Sequence, residues 1–133
     1  MFTGNQLPLF SEPRKMIVFT GHRDRAIDLV HLDTIALLYP GAVWIHGGAL
    51  GFDTQVQIYA NVNEIPTEVF KPDYNDPAVS YKVAPILRNK KMVDLGSLVV
   101  ALWDGRKIGG TWATIEYARQ KHKEVITFAP VTK

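Results

Sequence analysis

A Rossmann-like three-layer α/β/α domain, built on one parallel sheet of about five strands, is the fold this sequence predicts. Short, continuously apolar runs recur along the chain, each followed by a stretch of helical periodicity. Uninterrupted apolar strands belong to sheets buried on both faces, and parallel strands need a crossover helix between them. Glycine-rich turns stand where two of those runs hand over to helices, as the fold requires for tight strand-to-helix turns.

The elements follow in order. Met1 to Lys15 holds two prolines, Gly, Asn and Ser without sustained periodicity and reads as a flexible tail, leaving 16–133 as the domain. Met16 to Thr20 is a buried strand, ended by Gly21-His22-Arg23; Leu29, Leu32, Ile35, Ala36 and Tyr39 then repeat at helical spacing until Pro40-Gly41 stops them. Ala42 to Ile45 is the second strand, and Phe52, Val56, Tyr59 and Ala60 mark one face of the second helix. Pro66 to Phe70 is a shorter strand nearer an edge, followed by a loop rich in Pro, Asp and Asn to about Val79, of a length that often serves as a lid. A third helix over Val83 to Asp94, a strand from Leu98 to Leu102, a helix lined by Trp112, Ile115 and Ala118, and a last strand from Val125 to Phe128 complete the pattern.

Composition narrows the function classes. With 133 residues, 47% hydrophobic and 21% charged, the chain suits one domain with one sizeable core. Its formal charge of +2 is too small a field for direct nucleic-acid binding through bulk electrostatics. The absence of cysteine rules out disulfides and thiolate metal sites, and no apolar run approaches a membrane span or a signal peptide, so a cytoplasmic location is expected. His31, His46 and His122 show no metal-ligand spacing, and neither metal nor cofactor is expected.

Function is concentrated in the two glycine turns, His46-Gly47-Gly48-Ala49-Leu50-Gly51-Phe52-Asp53 and Gly105 to Thr111. A turn of this kind brings backbone close to a ligand, and the free N–H groups and positive dipole end of the helix behind it favour phosphate or carboxylate. Two such cradles make a nucleotide or another phosphorylated small molecule the leading ligand class. Gly21-His22-Arg23, Gly47, Gly48, Ala49, Gly51 and Asp53, and Asp104 to Thr111 with Gly109, Gly110 and Thr111 all follow strand ends and should converge on one cleft. Asp53, in a first helical turn, is either a cap or a ligand for a ribose hydroxyl or water; Asp104 is either a turn former with Gly105 or an orienter of a sugar hydroxyl or water. Of the helical run Arg88-Asn89-Lys90-Lys91 only one or two side chains can face a cleft, and Arg88 is the choice for its planar fork. Trp103 and Trp112 belong either to the core or under a base, and Glu116 lies about one and a half turns into its helix.

At these residues the chain resembles the SLOG superfamily of Rossmann-like proteins, which unites DNA-processing protein A with the Lonely Guy phosphoribohydrolases, and most closely its YpsA-related branch. The likeness runs from Met16 to Phe128 and rests on Gly21-His22-Arg23, the Gly-Gly-Ala-x-Gly-x-Asp string from Gly47 to Asp53, Arg88-Asn89 with Met92, and Asp104 leading to Gly109-Gly110-Thr111. It implies a pocket for nucleotides or nucleotide-derived molecules, used by some members for sensing and by others for hydrolysis, and it implies self-association. The hydrolase branch carries an Arg with Met four residues on, as Arg88 and Met92 do, and a Pro-Gly-Gly-x-Gly-Thr-x-x-Glu string. Here no proline precedes Gly109, and Glu116 stands five residues beyond Thr111 instead of three, a shift that rotates a helical carboxylate by about 200°.

Three functions are therefore expected in turn. The first is binding or sensing of a nucleotide-like ligand. The second is N-glycosidic hydrolysis of a nucleoside 5′-monophosphate, with Asp53, Asp104 or Glu116 placing water and Arg88 holding the phosphate. The third comes from the tail: Gln6-Leu7-Pro8-Leu9-Phe10 looks like the short peptide by which bacterial proteins dock on the DNA-polymerase sliding clamp, with Leu9 and Phe10 as apolar anchors.

Overall fold

The computed structural model describes residues 14–131. Residues 1–13 of the expected tail, with its candidate clamp-binding residues Gln6, Leu7, Leu9 and Phe10, lie outside them.

Nine elements alternate along the chain: β1 (Met16–Gly21), α1 (Leu29–Leu38), β2 (Val43–His46), α2 (Phe52–Val62), β3 (Thr67–Val69), α3 (Ala84–Leu95), β4 (Leu98–Leu102), α4 (Gly109–Gln120) and β5 (Glu124–Phe128). The five strands form one parallel sheet in the order β3-β2-β1-β4-β5. The chain winds outward from β1 to β3, returns across the sheet through α3, and winds outward again through β4 and β5. The reversal falls between β1 and β4, where such sheets open a crevice beyond the strand ends.

Strand alternation builds the two halves of the core. Ile17 and Phe19 of β1, Trp44 of β2, and Leu98, Val100 and Leu102 of β4 pack under α1 and α2, against Leu32, Ile35, Phe52, Val56 and Ala60. Val18, Ile45 and Val99 point to the opposite face, against Met92 and Val93 of α3 and Ala118 of α4. Helices thus cover both faces, and all five residues of β4 are buried, which is why its sequence is apolar without alternation. Phe19 lies between Trp44 and Phe52, at ring-centroid distances of 4.5 and 6.3 Å. Leu29, expected on the inner stripe of α1, is half exposed at its first turn. Among the described residues no helix is long and apolar enough to cross a membrane.

The turn between β1 and α1 is held against the turn between β2 and α2. Gly51 has φ +79°, and a Cβ placed there would strike the carbonyl of Arg23. Phe52 N–H donates to His22 O at 3.3 Å, so the two turns share one wall. Gly51→Ala combines left-handed backbone with a backbone clash, whereas Gly41 at φ +80° has open space around it. Equilibrium urea unfolding should therefore show Gly51→Ala costing about 2–4 kcal/mol and Gly41→Ala about 1 kcal/mol; equal losses would mean that the close approach at Gly51 carries no weight.

Candidate functional site

The crevice at the reversal point is a cleft of about 410 Å³. The end of β1 supplies Gly21, His22 and Arg23, the first glycine turn Ala49 and Asp53, α3 Arg88, Asn89 and Met92, and the second glycine turn Arg106, Ile108, Gly109, Gly110 and Thr111. Both turns therefore face one space. Gly47, Gly48 and Gly51 lie behind that surface, and Asp104 lines a wider, more apolar neighbouring cleft with Trp103, Phe128 and Pro130. Arg23 and Asp24 border both spaces.

The two cradles differ in what their N–H groups do. In the first, Oδ2 of Asp53 accepts from Gly47 N–H at 3.2 Å and Ala49 N–H at 3.1 Å, while Gly48 N–H donates to Nδ1 of His46 at 3.0 Å. The N–H groups of Gly47, Gly48 and Ala49 are thus satisfied by the turn's own side chains. Asp53 is buried, and its carboxyl is raised above the usual carboxylate range, first by desolvation, against which the two N–H bonds and the charge of Arg88 act. His46 is buried too, its other ring nitrogen 2.6 Å from Gln57 Oε1. Asp53 therefore closes the first turn from within.

Arg88 completes that closure. Its Nη1 donates to Gly47 O at 2.7 Å and Phe70 O at 3.0 Å, and its Nε donates to Asn89 Oδ1 at 2.7 Å. Gly47 has no room for a Cβ because the guanidinium lies against it. Desolvation, opposed by the charge of Asp53, lowers the Arg88 pKa. Three of five guanidinium N–H groups are thus spent on the protein, leaving Nη2 for anything in the cleft. Asn89 lines the cleft beside it with its amide nitrogen still available.

The second cradle is open. Among the described residues, no side chain caps the start of α4, and no backbone or side-chain acceptor receives the N–H groups of Gly109, Gly110 or Thr111. Gly109 has φ +91°, and a Cβ added at either Gly109 or Gly110 would meet no other atom within 4 Å, so nothing stands before this helix end. A twelve-residue helix presents its positive pole and three unpaired donors to the cleft.

His22 and Arg106 form the third wall, with Asp104 behind them on the neighbouring cleft. Asp104 accepts from Arg106 through both carboxylate oxygens, and its own N–H donates to Nε2 of His22 at 3.2 Å. The Arg106 hydrogen bonds hold the Asp104 carboxyl well below the usual range. Desolvation lowers the His22 pKa in spite of Asp104, whose Oδ1 also lies 3.2 Å from Nε2.

The remaining expected site residue stands elsewhere. Glu116, expected as a candidate for placing water, is instead 3.6 Å from Arg119 on the outer surface of α4 and lines no part of the cleft, because its helical phase turns it away. Trp103 and Trp112 stack on each other at 5.2 Å, outside the cleft and therefore not under a ligand's base there. The sequence pattern does not single out Arg106 and Ile108, whose only signal is their place inside the second turn. Among the described residues no group of three or more His, Asp or Glu could hold a metal ion.

Compared with protein-family models, curated proteins and solved structures, the chain matches none of them.

Removing the Asp53 carboxylate strands two N–H groups and leaves the Arg88 charge half-buried without its counterpart, although it also relieves the desolvation of a charge. The first two outweigh the last by about 2 kcal/mol. Asp53→Ala should lower unfolding free energy by that amount in urea; an unchanged midpoint and slope would show that the turn holds without it.

Proposed function

We propose that this chain is a SLOG-type binding domain for a nucleotide or nucleotide-derived ligand, whose phosphate sits on the start of α4. The observation that carries the reading is the contrast within one cleft: in the first glycine turn the N–H groups of Gly47, Gly48 and Ala49 are taken by Asp53 and His46, while in the second those of Gly109, Gly110 and Thr111 are unpaired. That helix end lies at the sheet's reversal point, with Arg106, Arg23 and Nη2 of Arg88 around it, which suits a dianionic group. Asn89 offers an amide and Ile108, 73% exposed, an apolar surface to the rest of the ligand.

Binding without bond cleavage is the better-supported form of this reading. N-glycosidic hydrolysis needs a carboxylate free to place water near the ribose. Of the three candidates, Asp104 is bonded to Arg106 and lines the neighbouring cleft, Glu116 is on the outer face of α4, and Asp53, which lines the cleft, has Oδ2 tied to two N–H groups and only Oδ1 left to hold a water.

Gly110→Asp separates ligand from fold. The new carboxylate has room, favours the N-terminal dipole of α4 by a few tenths to about 1 kcal/mol, and repels an anion. Calorimetric titration with AMP, GMP, CMP and UMP should give binding for wild type, at least about tenfold weaker binding for Gly110→Asp at an unchanged or higher Tm, and no free base by chromatography. No binding by wild type, or equal binding by the variant, contradicts the phosphate site; base release abolished by Arg88→Ala would favour the hydrolase instead.

A further inference from the structure

Arg106 is held more firmly than an exposed arginine on a loop ordinarily is. Gly105, at φ +93°, lets the chain reverse between Asp104 and Arg106. Trp103 Nε1 donates to Arg106 O at 2.7 Å, and the Trp103 ring is itself stacked on Trp112. Arg106 N–H donates to Asp104 Oδ1 at 3.1 Å, and Asp104 N–H is fixed on His22. Backbone on both sides of the guanidinium is therefore pinned to the sheet end and to α4.

The side chain is fixed as well. Nε donates to both carboxylate oxygens of Asp104, at 3.0 and 2.8 Å, and Nη2 to Oδ2 at 2.5 Å. This side-on pairing uses one edge of the planar fork. Among the described residues nothing accepts from Nη1, and Arg106 lines the cleft beside Gly109, Gly110 and Thr111, whereas Asp104 lies outside it. Arg88, the arginine that sequence alone singles out, is the reverse case, with its fork turned inward on Gly47 and Phe70.

Resting on the nucleotide reading above, we propose that Arg106 is the residue that grips the ligand's phosphate and that Asp104 is its positioning residue, holding one edge of the guanidinium so that the other faces the start of α4. Preorganisation is the gain: a free arginine loses its rotamer freedom on binding, and this one has lost it in folding. The phosphate is then bridged between three backbone N–H groups and a fixed cation, and the effect belongs to the phosphate alone, not to the nucleoside.

A double-mutant cycle read on two probes, AMP and adenosine, tests this. AMP affinity should fall at least about tenfold in Arg106→Gln and about three- to tenfold in Asp104→Asn, with much of the loss restored in Asp104→Glu. Asp104→Asn added to Arg106→Gln should cost nothing further, and adenosine affinity should be the same in all variants. Arg106→Gln binding AMP like wild type overturns the grip, and Asp104→Asn weakening AMP equally with and without Arg106 overturns the positioning role. Either result leaves the nucleotide reading standing, whereas a wild-type chain that binds no AMP overturns both.

Discussion

The carboxylate of Asp53, set beneath the first glycine turn and across from Arg88, is the constraint from which the cleft takes its form. Burying that charge is costly, as its raised pKa records, and the cost is met by two backbone N–H bonds and an opposing guanidinium. The same guanidinium joins the exits of β2 and β3 to α3 through Gly47 O and Phe70 O. Asp53 and the half-buried Arg88 therefore tie three segments together and occupy the N–H groups of Gly47 and Ala49. The electropositive end of α4, by contrast, opens on the crevice with the N–H groups of Gly109, Gly110 and Thr111 unpaired.

Much of the fold was legible because a sheet covered on both faces writes its strands as unbroken apolar runs. Leu98–Leu102 lies in the structure where the sequence put it, and the strand order is compatible with the need to bury each crossover helix. Boundaries moved by a residue or so, as at β2, which takes in His46 and leaves out Ala42. The site was legible only in outline. Turn glycines signal close backbone approach, but not to what: Gly47 makes way for Arg88, forty-one residues on, and Gly51 for Arg23. Nothing in the local pattern separates such packing glycines from Gly109 and Gly110, whose surroundings are empty.

The same reason explains the exchange of roles between the two arginines. Arg88 stands in a run of basic residues on a helix and attracts attention; Arg106 stands in a turn and does not. Their hydrogen bonds reverse that order, because the partners that consume Arg88 come from β2 and β3 while the partner that aims Arg106 is two residues away. Helix phase, by contrast, is local information, and the two extra residues before Glu116 already turn its carboxylate from the hydrolase position by about 200°.

On the proposed reading, phosphate recognition belongs to the helix that begins at Gly109, and the first glycine turn is scaffold. Backbone amide shifts report this division most directly. In a two-dimensional 1H–15N titration with AMP, the Gly109, Gly110 and Thr111 amides should move with one saturating isotherm while those of Gly47 and Ala49, held on Asp53, stay nearly still. Saturable shifts centred on Gly47 and Ala49, with Gly109 to Thr111 unmoved, would contradict it.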